Sequence, residues 1–229
     1  MEKQLIDIKN QTISLSYMHD LIKLTDRYPH RASDIWDSVG KNQFISKTEL
    51  LNVLLSSGVI NKDLDVTIVG SWYGTILIPV LAPLVKSISC IDIDEETTQI
   101  ATNIFDFDNV RYIKENPFDK NFGCFRNTDN VLIINTSCEH MGSLRDLIDM
   151  QRIPAPNQKN VWFAFQSNNM FGIEGHINCK HGIDEFKEDL PWNHELISER
   201  EIEEERGTRF FLFGRFTQPP RTPREENNE

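Results

Sequence analysis

The carboxylate of Asp92 ends the apolar run "SISCID", 22 residues after Gly70. A carboxylate at the end of one strand, beside a glycine turn that ends the preceding strand, is placed to accept both hydroxyls of a ribose. Asp94, two positions on, suits a different task, capping the helix expected over "EETTQIATNIF". The turn itself is "GSWYG", Gly70 to Gly74, with Ser71, Trp72 and Tyr73 between its glycines. Glycines there let the backbone approach a nucleotide-type ligand, but Trp72 holds the position where a middle glycine is expected. Its side chain must turn away or form a wall of the pocket, unless the segment is only a tight turn with Trp72 in the core.

A second group of reactive side chains lies in "NTSCEHM", Asn135 to Met141. His140 titrates near neutrality and Glu139 can orient it, so this pair is the candidate for acid or base work. Thr136 followed three residues later by Glu139 also spells a capping box, which would only start a helix. Farther on, "GHINCKH" sets His176, Cys179 and His181 within six positions, a spacing that matches no common zinc motif, and no metal site is expected. On an extended segment His176 and His181 would face opposite ways. The stretch reads better as a loop closing over a substrate, with amides from "QSNNMF", Gln166 to Phe171, although Asn168 and Asn169 also suit a turn.

These residues need a scaffold of strand ends. Short β-rich runs recur at Val66–Val69, Ser87–Ile91, Val110–Ile113, Asn130–Ile134 and Val161–Phe165, separated by helical or loop stretches. Unalternating runs such as "VLII" suit parallel strands covered on both faces. The repeated strand–crossover–strand pattern implies an α/β, Rossmann-like doubly wound sheet, mostly parallel, whose ligands sit at the carboxyl ends of the strands. "NHELISERE" and "TRFFLFGRF" add a terminal antiparallel pair. Residues 1–60 read as a helical N-terminal subdomain, 61–216 as the cofactor-binding domain, and the proline-rich, polar 217–229 as a disordered tail. In the first part, Leu15, Met18, Ile22 and Thr25 mark a helix; Ser46 with Glu49 spells a capping box that starts another, and Gly58 ends it. Pro79 and Pro83 should kink or shorten the helix after the glycine turn.

Composition narrows the partners. With 24 Lys plus Arg against 35 Asp plus Glu, the net charge of −11 disfavours broad contact with nucleic-acid backbones and favours a small, neutral or cationic substrate. The four cysteines form no CxxC pair, so reduced thiols in the cytoplasm are expected. "MEKQLIDIKN" lacks the basic start and apolar core of a secretory signal, and no apolar run is long enough to span a membrane. Neither GxGxxG nor GxxxxGK[ST] occurs, which argues against a redox dinucleotide domain and a phosphate-cradling kinase loop.

"VTIVGSWYG", "SISCIDIDEETTQIATN", "VRYIKENPFD" and "NVLIINTSCEHM", in this order, resemble the cofactor-binding half of class I S-adenosylmethionine-dependent methyltransferases. The resemblance spans about residues 63 to 216, and "GSWYG" with "NTSCEH" and "FQSNN" is further similar to a methyltransferase-like group found in phages and bacteria. It implies S-adenosyl-L-methionine as cofactor, with Gly70 and Gly74 beside its methionine and ribose portions and Asp92 on the ribose hydroxyls. Ile93, Pro117 and Phe118 would pack on the adenine and Asn116 would bond its amino group, and the cofactor-binding set is completed by Ser71, Trp72 and Tyr73 of the loop and by Asn135 and Thr136 at the fourth strand end, where substrate also enters. Two positions depart from the superfamily pattern: Ile68 replaces an acidic residue, and Trp72 a glycine. The [DNS]PP[YFW] motif of nucleic-acid amino-methyltransferases is reduced to Asn135, and Ser137 replaces the proline that precedes the nucleophilic cysteine of C5-pyrimidine enzymes, which leaves Cys138 without that role. The resemblance thus implies methyl transfer to an unidentified acceptor; the net acidity, the missing nucleic-acid motif and the helical N-terminal cover point to a small one, with Tyr17, His19, Tyr28 and Trp36 available for a lid. Aminocarboxypropyl transfer from the same cofactor, or a non-catalytic Rossmann-like binding protein, are the alternatives.

Overall fold

A computed structural model of the chain describes residues 6–10, 12–119, 129–154 and 158–217. Cys124 and the expected tail beyond Thr217 lie outside these residues. A two-residue hairpin, β1 (Ile6–Asp7) and β2 (Thr12–Ile13), precedes the helices α1 (Leu15–Arg27), α2 (Ala32–Asp37) and α3 (Lys41–Ser56). Strands β3 (Asp65–Val69), β4 (Ser87–Asp92), β5 (Val110–Lys114), β6 (Asn130–Asn135) and β7 (Asn160–Asn168) then alternate with α4 (Leu77–Leu81), α5 (Glu95–Thr102) and α6 (Leu144–Gln151). Helix α7 (Ile183–Glu188) leads into the hairpin β8 (His194–Glu204) and β9 (Gly207–Phe216).

Seven strands form one sheet in the order β5-β4-β3-β6-β7-β9-β8. β3 to β7 run parallel, and β9 lies antiparallel between β7 and β8. The five apolar runs and the terminal pair expected from the sequence are these strands. β3 is buried at every position and β6 at all but its first, because helices cover both faces and leave no solvated side to impose alternation. β8, at the sheet edge, alternates instead. Strand order reverses at β3, which has β4 on one side and β6 on the other, so the crevice beyond the carboxyl ends of these three strands is where the topology opens a ligand site.

The first helices differ from expectation in detail. α1 is capped by Ser14, whose hydroxyl accepts from the Tyr17 backbone, and it buries Tyr17, Leu21 and Leu24. The helix marked by Leu15, Met18, Ile22 and Thr25 is present, but Leu15 and Ile22 are 89% and 45% exposed, and Tyr17 is the residue that meets the body of the protein, its ring 5.7 Å from that of Phe105. α3 begins at Lys41 after Gly40, so Ser46 starts no helix; it lies buried inside one and donates its hydroxyl to the Gln43 carbonyl. Gly58, at φ +74°, follows the last turn as expected. α4 is cut to five residues, with Pro79 in its first turn, where the missing N–H costs nothing, and Pro83 beyond its end. No helix among the described residues is long and apolar enough to cross a membrane.

Leu50, Leu51 and Leu54 of α3 share one hydrophobic cluster with Val66 and Ile68 of β3 and Phe211 and Phe213 of β9. Three hydrogen bonds fix these helices over the sheet. The Tyr17 hydroxyl donates to the Thr75 carbonyl (2.7 Å), Thr75 donates to the Ser38 carbonyl (2.8 Å), and the Gln166 amide donates to the Ser46 carbonyl (2.9 Å). Tyr17→Phe deletes the first and leaves a buried carbonyl short of a donor, so the urea midpoint should fall by the equivalent of about 1 to 2 kcal/mol; an unchanged midpoint would show that this tie contributes nothing.

Candidate functional site

The loop after β3 is held across the end of β4. Ser71 N–H donates to the Ile91 carbonyl (3.0 Å) and Trp72 N–H to Asp92 Oδ2 (2.8 Å), while Asp94 N–H donates to Asp92 Oδ1 (3.0 Å). Gly70, Trp72 and Gly74 take the left-handed conformation, at φ +62°, +48° and +62°. The middle position therefore keeps the backbone shape that glycine would supply, at a cost of roughly 1 kcal/mol for a residue with a Cβ. The Asp92 carboxylate holds it there, and the indole rests tilted against Tyr73 with ring centroids 5.4 Å apart. Gly70 has its own reason, since a Cβ there would come 2.6 Å from Met141 Cε.

A cavity of about 590 Å³ opens beyond these strand ends. From the first loop Gly70, Ser71, Trp72 and Gly74 line it; from the end of β4, Asp92 and Ile93; from the end of β5, Asn116, Pro117 and Phe118; and beyond β6, Thr136, Glu139 and His140. Trp72 is thus a wall and leaves the cavity open. Tyr73 and Asn135 do not line it. Tyr73 points into the core, with its hydroxyl accepting from Arg31 Nε (3.0 Å), and buried Asn135 accepts from Ser137 N–H and donates to Met141 Sδ (3.1 Å).

The two strand-end aspartates differ in their local bonding, and Asp94 caps α5 as expected. Asp94 caps α5 through the Glu96 and Thr97 amides and also accepts from Arg31 Nη1 and Thr97 Oγ1, which uses up its carboxylate. Asp92 takes one backbone N–H on each oxygen and keeps lone pairs facing the cavity. Beside it Ile93 is 68% exposed, an apolar side chain presented to the opening.

The N-terminal helices supply wall residues that carry no local sequence signal. Ser38, Gln43 and Lys47 line the cavity, whereas Tyr17, His19, Tyr28 and Trp36 do not. Lys47 sits where burial, and then the positive charge of Arg209, push its pKa down to about 7.

At the far end the expected capping box is absent. Thr136 and Glu139 start no helix; Cys138–His140 form a single 3-10 turn, and Glu139 is 3% exposed. Its Oε1 accepts from Asn168 Nδ2 (2.6 Å) and Arg209 Nη1 (3.3 Å), and Arg209 Nε in turn donates to Glu204 (2.8 Å). Burial holds the Cys138 thiol well above its usual pKa, the reverse of an activated nucleophile. The segment after β7 folds back so that Ile177 and Asn178 N–H both donate to the Glu139 carbonyl (2.8 and 2.9 Å). The amides of "QSNN" are spent on structure, with Gln166 on α3, Asn168 on Glu139 and Asn169 on the Thr208 N–H (2.7 Å), and none lines the cavity. His181 stacks on Phe171 at 4.6 Å, while His176 meets His140 edge to face at 4.5 Å.

Solved structures share this architecture. The N-methyltransferase NodS from Bradyrhizobium japonicum WM9, in complex with S-adenosyl-L-homocysteine, is 16% identical with a TM-score of 0.59, the match covering 90% of this chain and all of that one. The DhpI complex with the same compound gives 19%, 0.57, and 88% and 99% coverage. A SAM-dependent methyltransferase from Aquifex aeolicus gives 18%, 0.53, and 73% and 89%. No protein-family model and no curated protein sequence matches the chain. The fold is the Rossmann-like one of S-adenosylmethionine-dependent methyltransferases.

The lowered pKa of Lys47 has a consequence for stability. The unfolded chain holds this proton to about pH 10 and the folded chain releases it near 7, so between those values the unfolded state binds more protons and stability rises with pH. Lys47→Met removes that penalty, and its stabilising effect in urea should be larger near pH 7 than near pH 10; equal gains at both would contradict the shift.

Proposed function

We propose that the chain is an S-adenosylmethionine-dependent methyltransferase acting on a small acceptor. The observation that carries this reading is the Asp92 carboxylate, free to accept further hydrogen bonds at the switch point of the sheet, in a cavity whose rim exposes Ile93. The residues present fit the cofactor. Asp92 would take the ribose hydroxyls, Ile93, Pro117 and Phe118 would sandwich the adenine, and the backbone of Gly70 to Gly74 would face the methionine portion, with Trp72 as the side wall. Asn116 Oδ1 already accepts from Phe118 N–H (3.0 Å) and retains a lone pair for the adenine amino group. The likeness of the fold to proteins crystallised with S-adenosyl-L-homocysteine supports the same choice.

The cofactor supplies an electrophilic methyl group; the chain has to bind it, exclude water and aim the acceptor. Thr136, Glu139 and His140, at the other end of the cavity, would face the acceptor. Ser38, Gln43 and Lys47 roof the same space from the N-terminal helices, which limits the acceptor's size. The net charge of −11 further favours an acceptor that is neutral or cationic.

Calorimetry with S-adenosyl-L-homocysteine tests the reading. The intact chain should bind one equivalent, and Asp92→Ala should weaken binding by at least about tenfold, the loss of a charge-assisted pair of hydrogen bonds. Asp94→Asn, which keeps the cap, should bind nearly as the parent does. Equal losses in the two variants would sink the ribose assignment.

A further inference from the structure

We infer that Glu139, His140 and His176 form a binding site for a divalent transition-metal ion at the acceptor end of the cavity. One ligand atom from each lies within 4.8 Å of the other two. Among the residues described, Glu139 Oε2 is buried and has no hydrogen-bond partner, although the other oxygen of the same carboxylate has two. A buried anionic oxygen left bare is costly, and a cation is the partner that would remove the cost.

The two imidazoles are prepared in the same way. His140 Nδ1 lies 3.1 Å from the Gly175 carbonyl and His176 Nδ1 3.2 Å from the Met170 carbonyl. A carbonyl can only accept, so each Nδ1 carries the proton and each Nε2 keeps its lone pair. This is how ligating histidines are held, with the second nitrogen fixed by an acceptor that sets tautomer and ring orientation. Asn168 and Arg209 do the equivalent for Glu139, by occupying Oε1.

Two imidazoles and a carboxylate select a borderline ion such as Zn²⁺ or Co²⁺ over Mg²⁺ or Ca²⁺, which prefer all-oxygen shells. Three protein ligands leave coordination positions open. His140 is exposed and, with Glu139, borders the cavity, so an open position faces the space assigned to the acceptor. On the cofactor reading proposed above, and only for this use, the ion would take an oxygen or nitrogen donor of the acceptor as a further ligand. Glu139 and His140 would then serve as ligands, in place of an acid–base pair.

The test is a titration of the chelator-stripped, cofactor-free chain with Co²⁺, followed by visible absorption, and competition with Zn²⁺. One equivalent should bind with a ligand-field spectrum, and Zn²⁺ should displace it. His140→Ala should weaken binding by at least about 100-fold; because His140 is exposed, this variant should melt as the parent does. His176→Ala should do the same, and His181→Ala, which removes the nearby imidazole stacked on Phe171, should change nothing. Absence of binding to the intact chain, or affinity unaffected by His140→Ala and His176→Ala, would overturn the site. Binding of S-adenosyl-L-homocysteine by the same variants is read separately, so failure of the metal site and failure of the cofactor reading give different results.

Discussion

The hydrogen bond from Trp72 N–H to Asp92 Oδ2 is the constraint on which the site depends. Parallel strands β3 and β4 end side by side, and each must release a loop into the same crevice without leaving backbone donors buried and unpaired. The Asp92 carboxylate resolves this by accepting one N–H from each loop. Its position fixes the left-handed turn at Trp72, the turn makes the indole a wall, and the wall leaves the cavity open between Asp92 and the end of β6. The cost of a non-glycine residue at φ +48° is therefore met by a charge-assisted hydrogen bond from its own backbone.

A second carboxylate organises the opposite end. Glu139 is joined to β7 through Asn168, to β9 through Arg209, and to the segment after β7 through its own carbonyl. These contacts bring His176 against His140, although 36 residues separate them in the chain. The two carboxylates differ in what they have left to offer. Asp92 has free lone pairs toward the open cavity, which suits neutral hydroxyls, whereas Glu139 Oε2 is buried and bare, which suits a cation.

What the sequence makes legible follows from how local each signal is. Buried parallel strands read as continuous apolar runs, so the sequence places β3 to β7 and the strand ends that line the cavity, together with the capping role of Asp94. Helix details were less legible, because competing patterns overlap: α1 offers apolar residues on two adjacent faces, and Ser46 with Glu49 mimics a start inside α3. Thr136 with Glu139 misled in the same way, since the partners that bury Glu139, Asn168 and Arg209, lie 29 and 70 residues away. Lys47, Gln43 and Ser38 carry no local signal, because only the packing of α3, and of the end of α2, over the sheet brings them to the cavity. Proximity in the chain groups His176 with Cys179 and His181; Cys179 Sγ does lie 3.6 Å from His176 Nδ1, but the folded-back loop sets the His176 ring against His140 and leaves His181 on Phe171.

The most direct measurement is a crystal structure of the chain grown with S-adenosyl-L-homocysteine. Ribose hydroxyls are expected within hydrogen-bonding distance of the Asp92 carboxylate, with the adenine against Ile93 and Phe118 and Trp72 still left-handed beside the ligand. A ligand bound elsewhere, or a Trp72 side chain occupying the space beside Asp92, would contradict this arrangement.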